Sequence, residues 1–161
     1  MRETVIPDRP FVLFLIGMRV NQPWRVGQWW PVFRAMPRML KELRDQPDLG
    51  LLGMETWFGR TTLMVQYWRD HESLQAYATG RDREHLPAWR DFNRRISGNG
   101  AVGIWHETYM VEPGRFEGIY GDMPPFGLGK VLPRLEATGE IAQAPGRLAA
   151  SLAAAAGARS A

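Results

Sequence analysis

The feature that most constrains this chain is how its hydrophobic period changes between Phe11 and Val111. Phe11–Val20 (FVLFLIGMRV) is apolar and β-prone, and Asn21-Gln22-Pro23 ends it. Trp29, Val32, Phe33, Met36, Leu40 and Leu43 then recur at helical spacing, one stripe of an amphipathic helix. Pro31 suits the first turn of that helix. Pro37 does not suit its interior and predicts a kink near Met36. Residues 49–58 and 61–68 flank Gly59-Arg60, which reads as a hairpin with a two-residue turn. Asp70 caps a helix carrying Leu74, Tyr77 and Ala78, which Gly80 interrupts. A second helical stretch from near Asp82 places His85, Trp89, Phe92 and Ile96 on one stripe and closes at Ser97-Gly98-Asn99-Gly100. Residues 101–111 alternate as a last strand. Val102, Ile104, His106, Thr108 and Met110 share one face, and Trp105, Glu107, Tyr109 and Val111 the other.

The order β-α-β-β-α-β defines an α+β, ferredoxin-like architecture: a four-stranded antiparallel sheet with helices on one face. The other face then needs a cover, because Trp105, Tyr109 and Val111 would otherwise be stranded in water. A second subunit is the expected cover, so a homodimer is predicted. Around this domain (residues 11–111), residues 1–10 read as an irregular arm with Pro7 and Pro10. Residues 112–136 mix turn residues with Tyr120, Met123 and Phe126, which reads as an ordered arm or lid. Residues 137–161 are Ala-rich with too little apolar bulk to anchor themselves, so a mobile tail is expected.

A length of 161 residues suits one domain. With no Cys there is no disulfide, thiolate metal site or Cys nucleophile. Basic residues exceed acidic ones by 20 to 17, and the signs alternate along most of the chain, so no nucleic-acid partner is expected. The apolar run before Arg19 is too short to span a bilayer and has no cleavage site behind it. The cytoplasm is the expected compartment. No metal-ligand spacing, dinucleotide fingerprint, phosphate loop or nucleophile elbow occurs. Seven Trp suit a core, an interface or a pocket for a flat ligand.

Tyr67-Trp68-Arg69-Asp70-His71-Glu72-Ser73-Leu74-Gln75-Ala76-Tyr77 resembles the strand–helix junction of the dimeric α/β-barrel superfamily. Its members include antibiotic-biosynthesis monooxygenases, haem-degrading monooxygenases and chlorite-dismutase-like haem proteins. His85-Leu86-Pro87-Ala88-Trp89-Arg90-Asp91-Phe92-Asn93, Gly103–Tyr109 and Tyr120–Gly127 are similar to a narrower group. That group is monooxygenase-like, with relatives in fumagillin-type terpenoid biosynthesis. The resemblance implies the fold, the dimer and an oxygenase-like reaction.

The candidate catalytic residues are His85, Tyr77 and His106. His85 begins the stripe that faces the sheet, where a neutral imidazole can act as a base. His106 reads as a buried, hydrogen-bonded histidine. If its face is the cavity side, it converges with His85 on a substrate. Trp68, Trp89, Phe92, Asn93, Tyr120 and Phe126 are the candidate lining of an aromatic substrate pocket, with the Tyr77 hydroxyl polarising a carbonyl or donating a proton. The implied function is a small monooxygenase-like enzyme acting on a hydrophobic, natural-product-like molecule. No cofactor is expected if an electron-rich phenol itself reduces O₂. The alternatives are a haem protein with His85 or His106 on iron, and a non-catalytic ligand-binding dimer.

Overall fold

The computed structural model describes residues 1–80, 98 and 100–160, with the backbone alone at Ala35 and Met39. The second predicted helix, with His85, Trp89, Phe92 and Asn93, lies outside the described residues. In chain order the elements are β1 (Arg2–Thr4), β2 (Phe11–Val20), α1 (Val26–Asp45), β3 (Leu51–Trp57) and β4 (Leu63–Trp68). They continue with α2 (His71–Thr79), β5 (Val102–Val111), β6 (Tyr120–Gly121), β7 (Leu135–Glu136) and α3 (Ala144–Ala158).

The main sheet runs β3-β4-β2-β5 with every pair antiparallel. This is the ferredoxin-like order, with the first and third strands of the motif at the centre. Register follows the alternation of the sequence. Val12 lies between Trp68 and Met110, Phe14 between Gln66 and Thr108, and Ile16 between Met64 and His106. All of these share the face that α1 and α2 cover, because Met36 packs with Met18 and Met64, and Leu43, Leu74 and Tyr77 pack with Val12 and Trp68. The Asp70 carboxylate accepts from the Ser73 amide at 2.6 Å and so starts α2 where the sequence predicts.

The hairpin differs from expectation. Leu63 pairs with Trp57, so residues 58–62 form the connection rather than Gly59-Arg60 alone. Thr61 bridges Arg19, and the Thr62 amide donates to the Met18 carbonyl at 2.8 Å. The end of β2 thus takes up backbone groups that a tight turn would have left within the hairpin. α1 also begins earlier than expected. The Arg25 amide donates to Gln22 O and Gln28 N to Arg25 O, so the turn after β2 leads straight into the helix. Pro31 and Pro37 therefore both lie inside α1, each deleting one amide from its ladder.

The sheet's other face carries Phe11, Leu13 and Leu15 of β2, Leu63, Val65 and Tyr67 of β4, and Trp105, Glu107, Tyr109 and Val111 of β5. Residues 116–132 lie over its upper half. Phe116, Tyr120, Leu128, Val131 and Leu132 pack with Phe11, Leu13, Tyr67 and Val111. Val111 is therefore covered by its own chain rather than stranded.

The terminal segments are more built than their composition implies. Residues 1–10 are not wholly irregular: Arg2–Thr4 forms the middle strand of a second, three-stranded sheet, ordered β6-β1-β7. The Ala-rich tail is anchored by polar groups instead of apolar bulk. Ser151, 1% exposed, donates to the Pro7 carbonyl at 2.6 Å and accepts from the Gly114 amide at 3.0 Å. The Arg147 guanidinium, also buried, donates to Glu117 and to the carbonyls of Ile141 and Ala142. Four planar, paired contacts satisfy a buried arginine that would otherwise be costly.

Candidate functional site

The strands of the main sheet bring polar and aromatic side chains together on its helix-covered face. β4 alternates Met64, Gln66 and Trp68 toward the helices. Trp68 is fully buried, and its indole N–H donates to Gln66 Oε1 at 2.9 Å. That bond settles which way the buried Gln66 amide is turned. Tyr77 stands against Trp68, with ring centroids 5.8 Å apart, and its hydroxyl donates to Glu42 Oε2 at 3.2 Å. The phenol proton is thus held by a carboxylate on α1.

Across β2 lies the second half of the arrangement. Phe14, half-buried, sits between Gln66 and Thr108, and its ring is 5.7 Å from the His106 imidazole. His106 and Thr108 are exposed on this face. The expected buried histidine is therefore absent. Among the described residues, β5 is an edge strand of the sheet, with β2 beside it. The result is a polar triad of residue types around Phe14, namely amide, hydroxyl and imidazole, with Trp68 at its floor. An exposed imidazole can accept a proton at neutral pH, and a buried amide can orient a carbonyl or hydroxyl.

The structure separates the sequence's candidates. Trp68, Tyr77 and His106 lie on the helix-covered face. Tyr120 and Phe126 lie on the opposite one, where Phe126 meets Trp57 at 6.1 Å and Tyr120 belongs to the Phe11–Leu128 cluster. They do not share a wall with Trp68 and Tyr77. His85, Trp89, Phe92 and Asn93 lie outside the described residues. Sequence reasoning passed over Gln66, Phe14 and Thr108. Gln66 carried a usable signal, because a lone amide between Met64 and Trp68 on one strand face marks a buried polar group that needs a partner.

The opposite face has its own polar seam. The amides of Gly127, Leu128 and Gly129 donate in turn to Glu55, the Tyr67 hydroxyl and the Tyr120 hydroxyl. Lys130 pairs with Glu55 at 2.8 Å. Burial pushes the Tyr67 phenol above its ordinary value, with Tyr120 beside it adding to the shift, and burial raises Tyr120 likewise. These groups fasten the arm to the sheet. Elsewhere a cleft of about 190 Å³ opens between α2 and the turn before β3, lined by Asp48, Leu49, Arg69, Ser73, Ala76 and Tyr77. It is smaller than the several hundred Å³ usual for a substrate pocket. Among the described residues, no cluster of three or more His, Asp or Glu could hold a metal ion.

The strand order and the one-sided helices define a ferredoxin-like domain whose polar groups gather on the helix-covered face. Residues 11–128 match the family described as monooxygenase af470-like, and the chain belongs to that family. It is 30% identical over 130 residues to monooxygenase af470 of Aspergillus fumigatus, a match covering 74% of this chain and 45% of that protein. The chain thus spans a little under half the length of this curated relative. Among solved structures, an aldoxime dehydratase in complex with butyraldoxime superposes with a TM-score of 0.66 at 16% identity, covering 81% of this chain and 38% of that one. SnoaB, a cofactor-independent oxygenase from Streptomyces nogalater, superposes with a TM-score of 0.45 at 13% identity, covering 63% of this chain and 93% of that one.

Proposed function

We propose that the chain is a monooxygenase that holds a hydrophobic, electron-rich phenol against the helix-covered face of the sheet, with His106 as its base. The observation that carries this reading is the exposed imidazole beside Phe14, with Thr108 exposed on the same face. Family membership supports the reaction class. In the proposed reaction His106 takes the phenol proton, and the phenolate passes one electron to O₂. Superoxide recombines with the ring radical at a carbon that carries hydrogen. The peroxide anion so formed takes the proton back from His106, and the hydroperoxide loses water with the hydrogen of that ring carbon, leaving a carbonyl. One oxygen atom stays with the product and the other leaves as water, and the substrate supplies every electron. Positioning is what the protein adds, with half-buried Phe14 as the apolar surface beside His106 and Thr108.

The proposed assembly is a homodimer. Among the described residues, part of the arm-side face stays open, with Tyr109 47% exposed, Trp57 44% exposed beside Phe126, and Leu15, Leu63, Val65 and Trp105 half-buried. A second copy packed there would bury that surface. Sedimentation showing a monomer at micromolar concentration contradicts it.

Haem is the second reading, and His106 favours it as well. His106 is an exposed imidazole that could hold haem iron. If bound, haem would supply the redox chemistry and the phenol would not have to.

Oxygen uptake with a panel of electron-rich polycyclic phenols tests the proposal. His106→Ala should slow uptake about 10²–10⁴-fold, the scale of a positioned acid–base group. Full uptake by His106→Ala removes the base from the reaction. A Soret band on the purified protein, lost in His106→Ala, replaces the first reading with the second.

A further inference from the structure

From the end of β2, the first turns of α1 and the β3–β4 connection, we infer a docking surface for an anionic lipid bilayer. The inference stands independently of the proposed reaction. Trp24 is 75% exposed, Phe58 70%, Val26 51% and Trp30 46%. They are one patch rather than scattered side chains. The Trp29 indole donates to the Pro23 carbonyl at 3.0 Å and so holds the Pro23-Trp24 segment against the start of α1. Trp29 touches Trp30 at 5.9 Å, Trp30 stacks on Phe33 at 5.9 Å, and Phe33 meets Phe58 at 6.3 Å. With rings that each offer roughly 150–250 Å², the exposed part comes to about 400 Å², the size at which a patch on a soluble chain is commonly functional.

The charge around the rings selects the partner. Arg19, Arg25, Arg34 and Arg60 are exposed about the patch, and the chain from Arg19 to Lys41 and from Thr56 to Arg69 holds no Asp or Glu. Arg34 follows Trp30 by one helical turn and so shares its side of α1. Two anchors tie the charge to the rings: Arg60 donates to the carbonyls of Val20 and Asn21, and Arg19 to Thr61 Oγ1 at 2.7 Å. Exposed Trp and Phe with arginines between them match the boundary between acyl chains and anionic headgroups.

Two other occupants fit less well. A second copy packed here about a two-fold axis would set these arginines against themselves. A single-stranded nucleic acid needs free ring faces for base stacking. Trp30 and Phe33 already lie face to face, with their planes 17° apart.

Co-sedimentation of the full chain with vesicles tests this. Binding to mixed phosphatidylcholine–phosphatidylglycerol vesicles should exceed binding to pure phosphatidylcholine by at least about ten-fold, at about five-fold per arginine in reach, and should weaken as salt rises. Trp24→Ala with Phe58→Ala should reduce it by about ten-fold or more, and so should Arg25→Ala with Arg34→Ala. All four side chains are exposed, so unchanged melting of both variants is expected. No preference for anionic vesicles overturns the inference, as does binding that survives loss of Trp24 and Phe58. Competition by poly(U) at equal phosphate concentration, or a change in oligomeric state in either double variant, also overturns it.

Discussion

Replacing Ser151 with Ala removes one oxygen atom that joins three distant parts of the chain. Its hydroxyl donates to Pro7 O at 2.6 Å and accepts from Gly114 N at 3.0 Å, in a site where Ser151 is 1% exposed. The substitution leaves a carbonyl and an amide without partners, at about 1–3 kcal/mol each. Ala is the better helix former by about 0.5 kcal/mol, so α3 itself gains slightly. The net loss expected is about 1.5–5.5 kcal/mol, which in a chain of this size lowers Tm by roughly 3–20 °C. Urea unfolding followed by far-UV circular dichroism measures the first quantity, and hydrogen exchange at the Gly114 amide reports the broken bond directly. The reasoning is refuted if Ser151→Ala unfolds within about 0.5 kcal/mol of the parent and the Gly114 amide exchanges at the parent rate.

Other perturbations follow from single contacts. A Cβ at Gly17 would land on the Thr62 carbonyl oxygen and beside the Trp105 indole, so Gly17→Ala should destabilise by about 1–3 kcal/mol or more, read as a fall in Tm. The Ser73 amide holds the Asp70 carboxyl below its usual range, so its stabilisation is present above about pH 4 and disappears as pH falls through the lowered value. Asp70→Ala should accordingly cost about 0.5–2 kcal/mol at neutral pH and nearly nothing in acid, measured by denaturant melts at both. Burial raises the Tyr67 phenol, so its contribution holds below about pH 10 and is lost as pH rises through the raised value. An ultraviolet titration should show late-ionising tyrosines, with Tyr120 raised as well, and Tyr67→Phe should remove one of them, so superimposable curves would contradict this.

The sheet was legible in the sequence because its signals are local. The period-2 alternation of Val102–Val111 assigned faces correctly, and the register bears this out: His106 lies opposite Ile16 on the helix side, and Glu107 opposite Leu15 on the other. Asp70 announced α2 through its own side chain. What failed depends on distant partners. The connection after β3 lengthened because Thr61 and Thr62 found the end of β2. The tail looked too poor in apolar mass to dock, but its anchors are Arg147 and Ser151, whose partners at Glu117, Pro7 and Gly114 lie 30 to 144 residues away. The site was half legible. Trp68, Tyr77 and His106 share the helix side as their strand and helix positions imply. Tyr120 and Phe126 carried no periodicity that could assign them a sheet face, and the fold set them on the other one. Gln66 could have been found from its place in the Met64–Trp68 alternation.

The proposed reaction puts one atom of O₂ into an electron-rich phenol at the helix-covered face. Mass spectrometry of the product formed under ¹⁸O₂ tests it most directly, with the phenol that gives the fastest oxygen uptake. One labelled oxygen per product molecule and the other in water is the expected result, with labelled product falling in proportion to uptake in His106→Ala. Product that carries unlabelled oxygen, or that forms equally well without O₂, would contradict it.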